Sequence, residues 1–110
     1  MLPLVGFSKL KQPKFKLGYQ LYSIRDEMVK NPIATLKALK AMGYQDFETY
    51  DYDAQKNMFY GFNASEFNII LEDLDLTISS GHYGFATFIK QSDEALKQYV
   101  DRCIIGAKAV

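Results

Sequence analysis

From position 17 onward the chain cycles through strand, helix and turn signals with a period of ~30 residues, the spacing of βαβ units. No other feature narrows the fold as much. Neighbouring antiparallel strands are joined by short turns, whereas crossovers long enough to hold a helix join parallel ones. The repeat begins with "KLGYQLYSI", read as a strand ending near Ile24. In "NPIATLKALKAMG", Asn31 takes an N-cap, Pro32 the first helical position and Gly43 the place just past the end. Ile33, Leu36, Leu39 and Met42 share one side of that helix.

A second strand follows in "YQDFETYDY", then a loop through Phe59, Tyr60 and Gly61. "NASEFNIILEDL" opens with Asn63 three residues before Glu66, a capping-box spacing, and Phe67, Ile70, Leu71 and Leu74 form the buried stripe of a helix. The third strand is "LTISSGH". The third helix starts at Ser92, carries Asp93 and Glu94 in its first turn, and runs through Leu96, Val100, Cys103 and Ile104 to Gly106. "AKAV" then reads as the opening of a fourth strand, so the chain looks like part of something longer. The fold class predicted is α/β: three βα units of a parallel sheet with right-handed crossovers. A compact α+β domain with antiparallel pairing is the rival.

Residues 1–15, "MLPLVGFSKLKQPKF", stand apart from this repeat as a brief apolar stretch before a basic linker. As the remnant of an export signal they would place the chain in the periplasm, although the charged start of such a signal is missing; otherwise the compartment is the cytoplasm. The folded domain is assigned to residues 16–110. With 48% hydrophobic and 24% charged residues among 110, the chain can bury a core. Thirteen basic and thirteen acidic residues leave no excess to neutralise phosphates, which argues against nucleic acid. No apolar run approaches the ~20 residues of a membrane span. One cysteine, Cys103, excludes an internal disulfide, and its helical spacing from Tyr99 and Val100 marks it as a core residue.

Alternation along the strands puts Gln20 with Tyr22, Glu48 with Tyr50, and Ser80 with His82, each pair near the C-terminal end of its strand. Parallel barrels build their active sites at that end, from several strands. Each residue also has a plain structural role to fill. Glu48 could be an exposed edge acid or a lysine's partner, the tyrosines could be packing residues, and Arg25, Asp26 and Glu27 could form a solvated loop. His82, the sole histidine, cannot make a metal site of ordinary composition alone; it serves as a loop or capping residue, or as a substrate contact and proton carrier. "DYDAQKN" lacks the glycine and distal glutamate of a calcium loop, and "NAS" is better explained by the helix cap than by glycosylation.

The stretches "LGYQLYSIRDEM", "LKALKAMGYQDFETYDY" and "FYGFNASEFNIILEDLDLTISSGHYGF" resemble, in order and spacing, the N-terminal part of the sugar phosphate isomerase/epimerase family, relatives of xylose isomerase and of endonuclease-four-like barrels. "QLYSIRDE" and "SSGH" are the most specific pieces. The resemblance implies a (β/α)8 TIM barrel that binds a divalent metal at the C-terminal strand ends and interconverts sugars or polyols by proton or hydride movement. Carried onto this chain, it makes Glu48 and His82 the catalytic candidates and Gln20, Tyr22, Glu48 and His82 the substrate-binding set. Family metal ligands come from later strands, so the chain alone is expected to hold no metal and to be inactive. The alternative is a noncatalytic half-barrel that associates with itself or another chain through an exposed sheet edge. An apurinic-site endonuclease ranks low, for want of a basic surface and of further histidines.

Overall fold

The computed structural model describes residues 15–110; the proposed export remnant therefore lies outside the described residues, apart from Phe15. The chain is mixed α/β. It runs β1 (Gly18–Gln20), a 3-10 turn (Leu21–Ile24), α1 (Arg25–Lys30), α2 (Pro32–Ala41), β2 (Asp46–Thr49) and a hairpin of β3 (Met58–Phe59) and β4 (Phe62–Asn63). It continues through α3 (Ala64–Asp73), β5 (Thr77–Gly81), α4 (Ala86–Ile89) and α5 (Asp93–Ala109). Strands β1, β2 and β5 form one parallel sheet in that order. Sequential order combined with right-handed crossovers sends both crossovers over the same face.

Side-chain burial agrees with that placement. Phe47 in the central strand is buried, with Tyr19 and Ile78 beside it packed on the core. The same core takes Leu21, Leu36 and Leu39, Phe67 and Leu71, and Cys103. Burial pushes the Cys103 thiol pKa upward, which suits a packing residue and not a nucleophile. On the opposite face lie Gln20, Glu48 and Ser80 in register, partly or fully exposed. The register slips between Phe47 and Glu48, leaving Ser79 as the extra residue of a bulge.

The helix starts follow the cap residues. Asn31 Oδ1 accepts from the Ala34 N–H at 3.0 Å with Pro32 next in line, and Ser92 Oγ accepts from the Ala95 N–H at 3.1 Å. At α3 the Glu66 N–H donates to Asn63 Oδ1 at 2.8 Å. The Glu66 carboxylate, however, accepts from Asn63 Nδ2 at 2.8 Å and so closes the box on the side-chain amide instead of the backbone N–H.

Four features depart from the sequence expectation. The first strand ends at Gln20, not Ile24, because Leu21, Ile24 and Met28 are also spaced for a helical face, and the turn sends Leu21 and Met28 into the core. Arg25, Asp26 and Glu27 are accordingly the first turn of α1 and not a loop. The segment after β2 contains a hairpin whose Tyr60–Gly61 tip has positive φ at both residues, 52° and 89°. The last helix does not stop at Gly106: "AKA" continues α5 to Ala109, so the expected start of a fourth strand is helix. Gly106 is buried there against the Tyr52 ring, where a Cβ would overlap it; it serves close packing, not termination. Met42 and Ile104 sit outside the core at 70% and 47% exposure.

Candidate functional site

On the bare sheet face the three strands bring one polar row together. Gln20 Nε2 donates to Glu48 Oε1 at 2.7 Å, and Ser80 Oγ donates to Glu48 Oε2 at 3.0 Å. These two bonds, the one from Gln20 first, hold the Glu48 carboxyl below its ordinary value of 4.5, with His82 adding a smaller push in the same direction. Glu48 is thus an ionised acceptor fixed from both sides. A second row lies nearer the strand starts, where Lys16 Nζ reaches Thr77 Oγ1 at 3.2 Å and Thr77 Oγ1 donates to Asp46 Oδ1 at 2.7 Å.

At the C-terminal end of the sheet all three strands open into one cleft of about 580 Å³. After β1 the 3-10 turn supplies Tyr22, and α1 supplies Arg25 and Asp26. After β2 come Tyr50, Asp51 and Tyr52, with Asp51 in the left-handed region at φ 55° so that the chain can leave the strand sharply. After β5 come His82 and Tyr83, and Tyr99 enters from α5. The backbone carries the β2–β5 pairing one step past the strand, since the His82 N–H donates to the Thr49 carbonyl at 2.8 Å.

Aromatic contacts tie the cleft wall together. Tyr22 meets Tyr50 edge to face at 5.5 Å, Tyr50 meets Tyr60 at 5.2 Å, and the Tyr50 N–H donates to Tyr60 Oη at 2.9 Å. Those bonds and rings hold Tyr60 in its left-handed conformation, which costs a bulky residue about 1 kcal/mol or more. Tyr52 packs edge to face on Tyr83 at 5.9 Å and donates to Asn57 Oδ1 at 2.5 Å. Gly81 is required beneath Tyr83, because a Cβ there would lie 2.6 Å from Tyr83 Cε2 and 2.7 Å from Thr49 Oγ1. The buried Thr49 hydroxyl has no well-formed hydrogen bond; Tyr83 Oη lies beside it and the contact pulls the Tyr83 phenol slightly back from the rise that burial causes. Burial also raises the phenols of Tyr50 and Tyr52, and takes Tyr99 up to about 12.

The residues singled out from sequence therefore fall into two groups. Gln20 and Glu48 meet, with Ser80, on the sheet face; Tyr22 and His82 line the cleft beyond it. Strand alternation does not account for Tyr22, since β1 has already ended; the turn carries it to Tyr50 instead. Arg25, Asp26, Asp51, Tyr52, Tyr83 and Tyr99 are cleft residues to which the sequence reading gave no part in a site. "YDYD" directly after β2 and "HYG" directly after β5 were the available signals, whereas Tyr99 reaches the cleft only through tertiary packing.

Among the described residues no three His, Cys, Asp or Glu side chains converge to hold a metal ion. No described helix is long and apolar enough to cross a membrane. A scan against protein-family models finds no match to the chain, and a search of curated proteins finds no significant one.

Proposed function

We propose that residues 16–110 are the first three βα units of a (β/α)8 barrel belonging to a metal-dependent sugar isomerase or epimerase, with the sugar seated at the strand ends. The observation that carries this reading is the delivery of polar and aromatic side chains to one end of the sheet by each of three parallel strands in sequential order. Helices on one face and a polar face left bare suit the wall of a barrel; a doubly wound sheet would be covered on both. The motif resemblance points the same way. Tyrosine faces match the C–H surface of a sugar ring, while planar carboxylate, guanidinium and imidazole groups match its hydroxyls.

In this reading Glu48, held ionised by Gln20 and Ser80, accepts a substrate hydroxyl or takes a proton, and His82 positions the substrate and relays a proton. The divalent ion implied by the resemblance needs donors beyond these residues, and the roles given to Glu48 and His82 do not depend on it. A protein carrying these units in a closed barrel should wash solvent deuterium into the carbon beside the sugar carbonyl. Glu48→Gln and His82→Ala should each cut that exchange at least ~10-fold. Unchanged exchange in both variants removes the assignment.

A second reading, a noncatalytic half-barrel completed by self-association, is favoured by the edges of β1 and β5, neither of which pairs with another described strand. Sedimentation of the chain separates the two: a monomer that unfolds cooperatively argues against obligatory assembly.

A further inference from the structure

We infer that the cleft takes an uncharged polyhydroxylated ring and turns away the phosphorylated form of the same sugar; this rests on reading the cleft as a sugar site. Among the described residues four side chains set its charge: Arg25, Asp26, Asp51 and His82. The two carboxylates outnumber the single permanent cation, so the lining is acidic when His82 is neutral and balanced when it is protonated. Neither state offers the positive excess that draws in a phosphate dianion.

Arg25 is also engaged locally. Its Nη1 donates to the Tyr22 carbonyl at 3.1 Å, and its guanidinium lies over the Tyr22 ring with Cζ 4.5 Å from the centroid. A phosphate clamp uses the open fork of an arginine in a bidentate bond, and here one arm is already committed. Among the described residues no lysine lines the cleft to assist it. A neutral ring finds what it needs instead. Tyr22, half exposed, shows an apolar face, and the exposed Asp26 and Asp51 carboxylates can each accept hydroxyl hydrogens. Because burial raises the Tyr50 and Tyr83 phenols, they stay uncharged and add no further anion.

The test is calorimetric titration of the 110-residue chain with glucose against glucose 6-phosphate, and with myo-inositol against inositol monophosphate, at ~0.01 M and ~1 M salt. At low salt the neutral member of each pair should bind at least ~5-fold tighter, and the gap should close at high salt, where the Debye length shrinks to ~3 Å. Asp51→Asn, which keeps a side chain tolerant of the left-handed backbone, should narrow the gap by strengthening the phosphate ester. A phosphate ester that binds as well as or better than its neutral partner at low salt overturns this inference and leaves the sugar reading intact. Failure of all four ligands to bind overturns this inference for the chain, and the sugar reading then stands or falls on the deuterium exchange of the closed barrel.

Discussion

Phe47 and Glu48 are neighbours in β2, yet one is buried among helices and the other lies on the bare face between Gln20 and Ser80. Alternation of side chains along a strand produces the division, and the one-sided placement of the helices gives it meaning. The helix side holds the chain together through apolar area, and the bare side and the strand ends carry the ionisable and hydrogen-bonding groups. Titration behaviour differs between the bare face and the strand ends. Hydrogen bonds from neutral donors pull Glu48 downward, while burial pushes Tyr50, Tyr52 and Tyr83 upward.

Substitutions along this divide should differ sharply. Phe47→Ala removes the largest buried side chain of the sheet and should cost ~3–5 kcal/mol in urea unfolding. A cost below ~1 kcal/mol would mean that the helices do not pack on that face as described. Gly81→Ala comes next, at ~1–3 kcal/mol, because the new methyl group meets Thr49 and Tyr83; it should also displace Tyr83 from the cleft wall. Near-UV circular dichroism would register the displaced ring, and an unaltered spectrum would contradict that contact. Asn63→Ala should cost ~1 kcal/mol by uncapping α3, and Asn63→Ser should recover most of it.

The smallest effect belongs to Glu48→Gln, and it should depend on pH. Because the folded carboxyl titrates below 4.5, its ionised form contributes stability above that pH, which is lost as the pH falls through the lowered folded value. Wild type should therefore be slightly the more stable protein at neutral pH and should converge with the variant in acid. Parallel stability curves from pH 7 to pH 3 would show that Gln20 and Ser80 do not favour the carboxylate.

Much of the fold could be read locally. Asn31–Pro32, Asn63–Glu66 and Ser92–Asp93–Glu94 mark helix starts because a cap needs only its own next turn to satisfy the free N–H groups. Where several conformations were locally acceptable, reading from sequence failed. "QLYSI" alternates well enough for a strand, and Leu21 turns inward only because the core offers it a place. Tyr60 is an improbable residue for a left-handed turn until Tyr50 and Phe67 are packed around it. A glycine followed by "AKAV" reads as a helix end until Tyr52 is found lying against it.

The sequence by itself determined the alternation of strands and helices, the starts of three helices and the register-related row of Gln20, Glu48 and Ser80, because caps and side-chain periodicity act over a few residues. Tertiary structure alone decided that Arg25, Asp51 and Tyr99 share a cleft with His82, and that Tyr22 reaches it from a turn and not from a strand. Residues far apart in the chain meet there because parallel strands aim their ends the same way and the helices pack on one side. Local spacing carries no record of that packing.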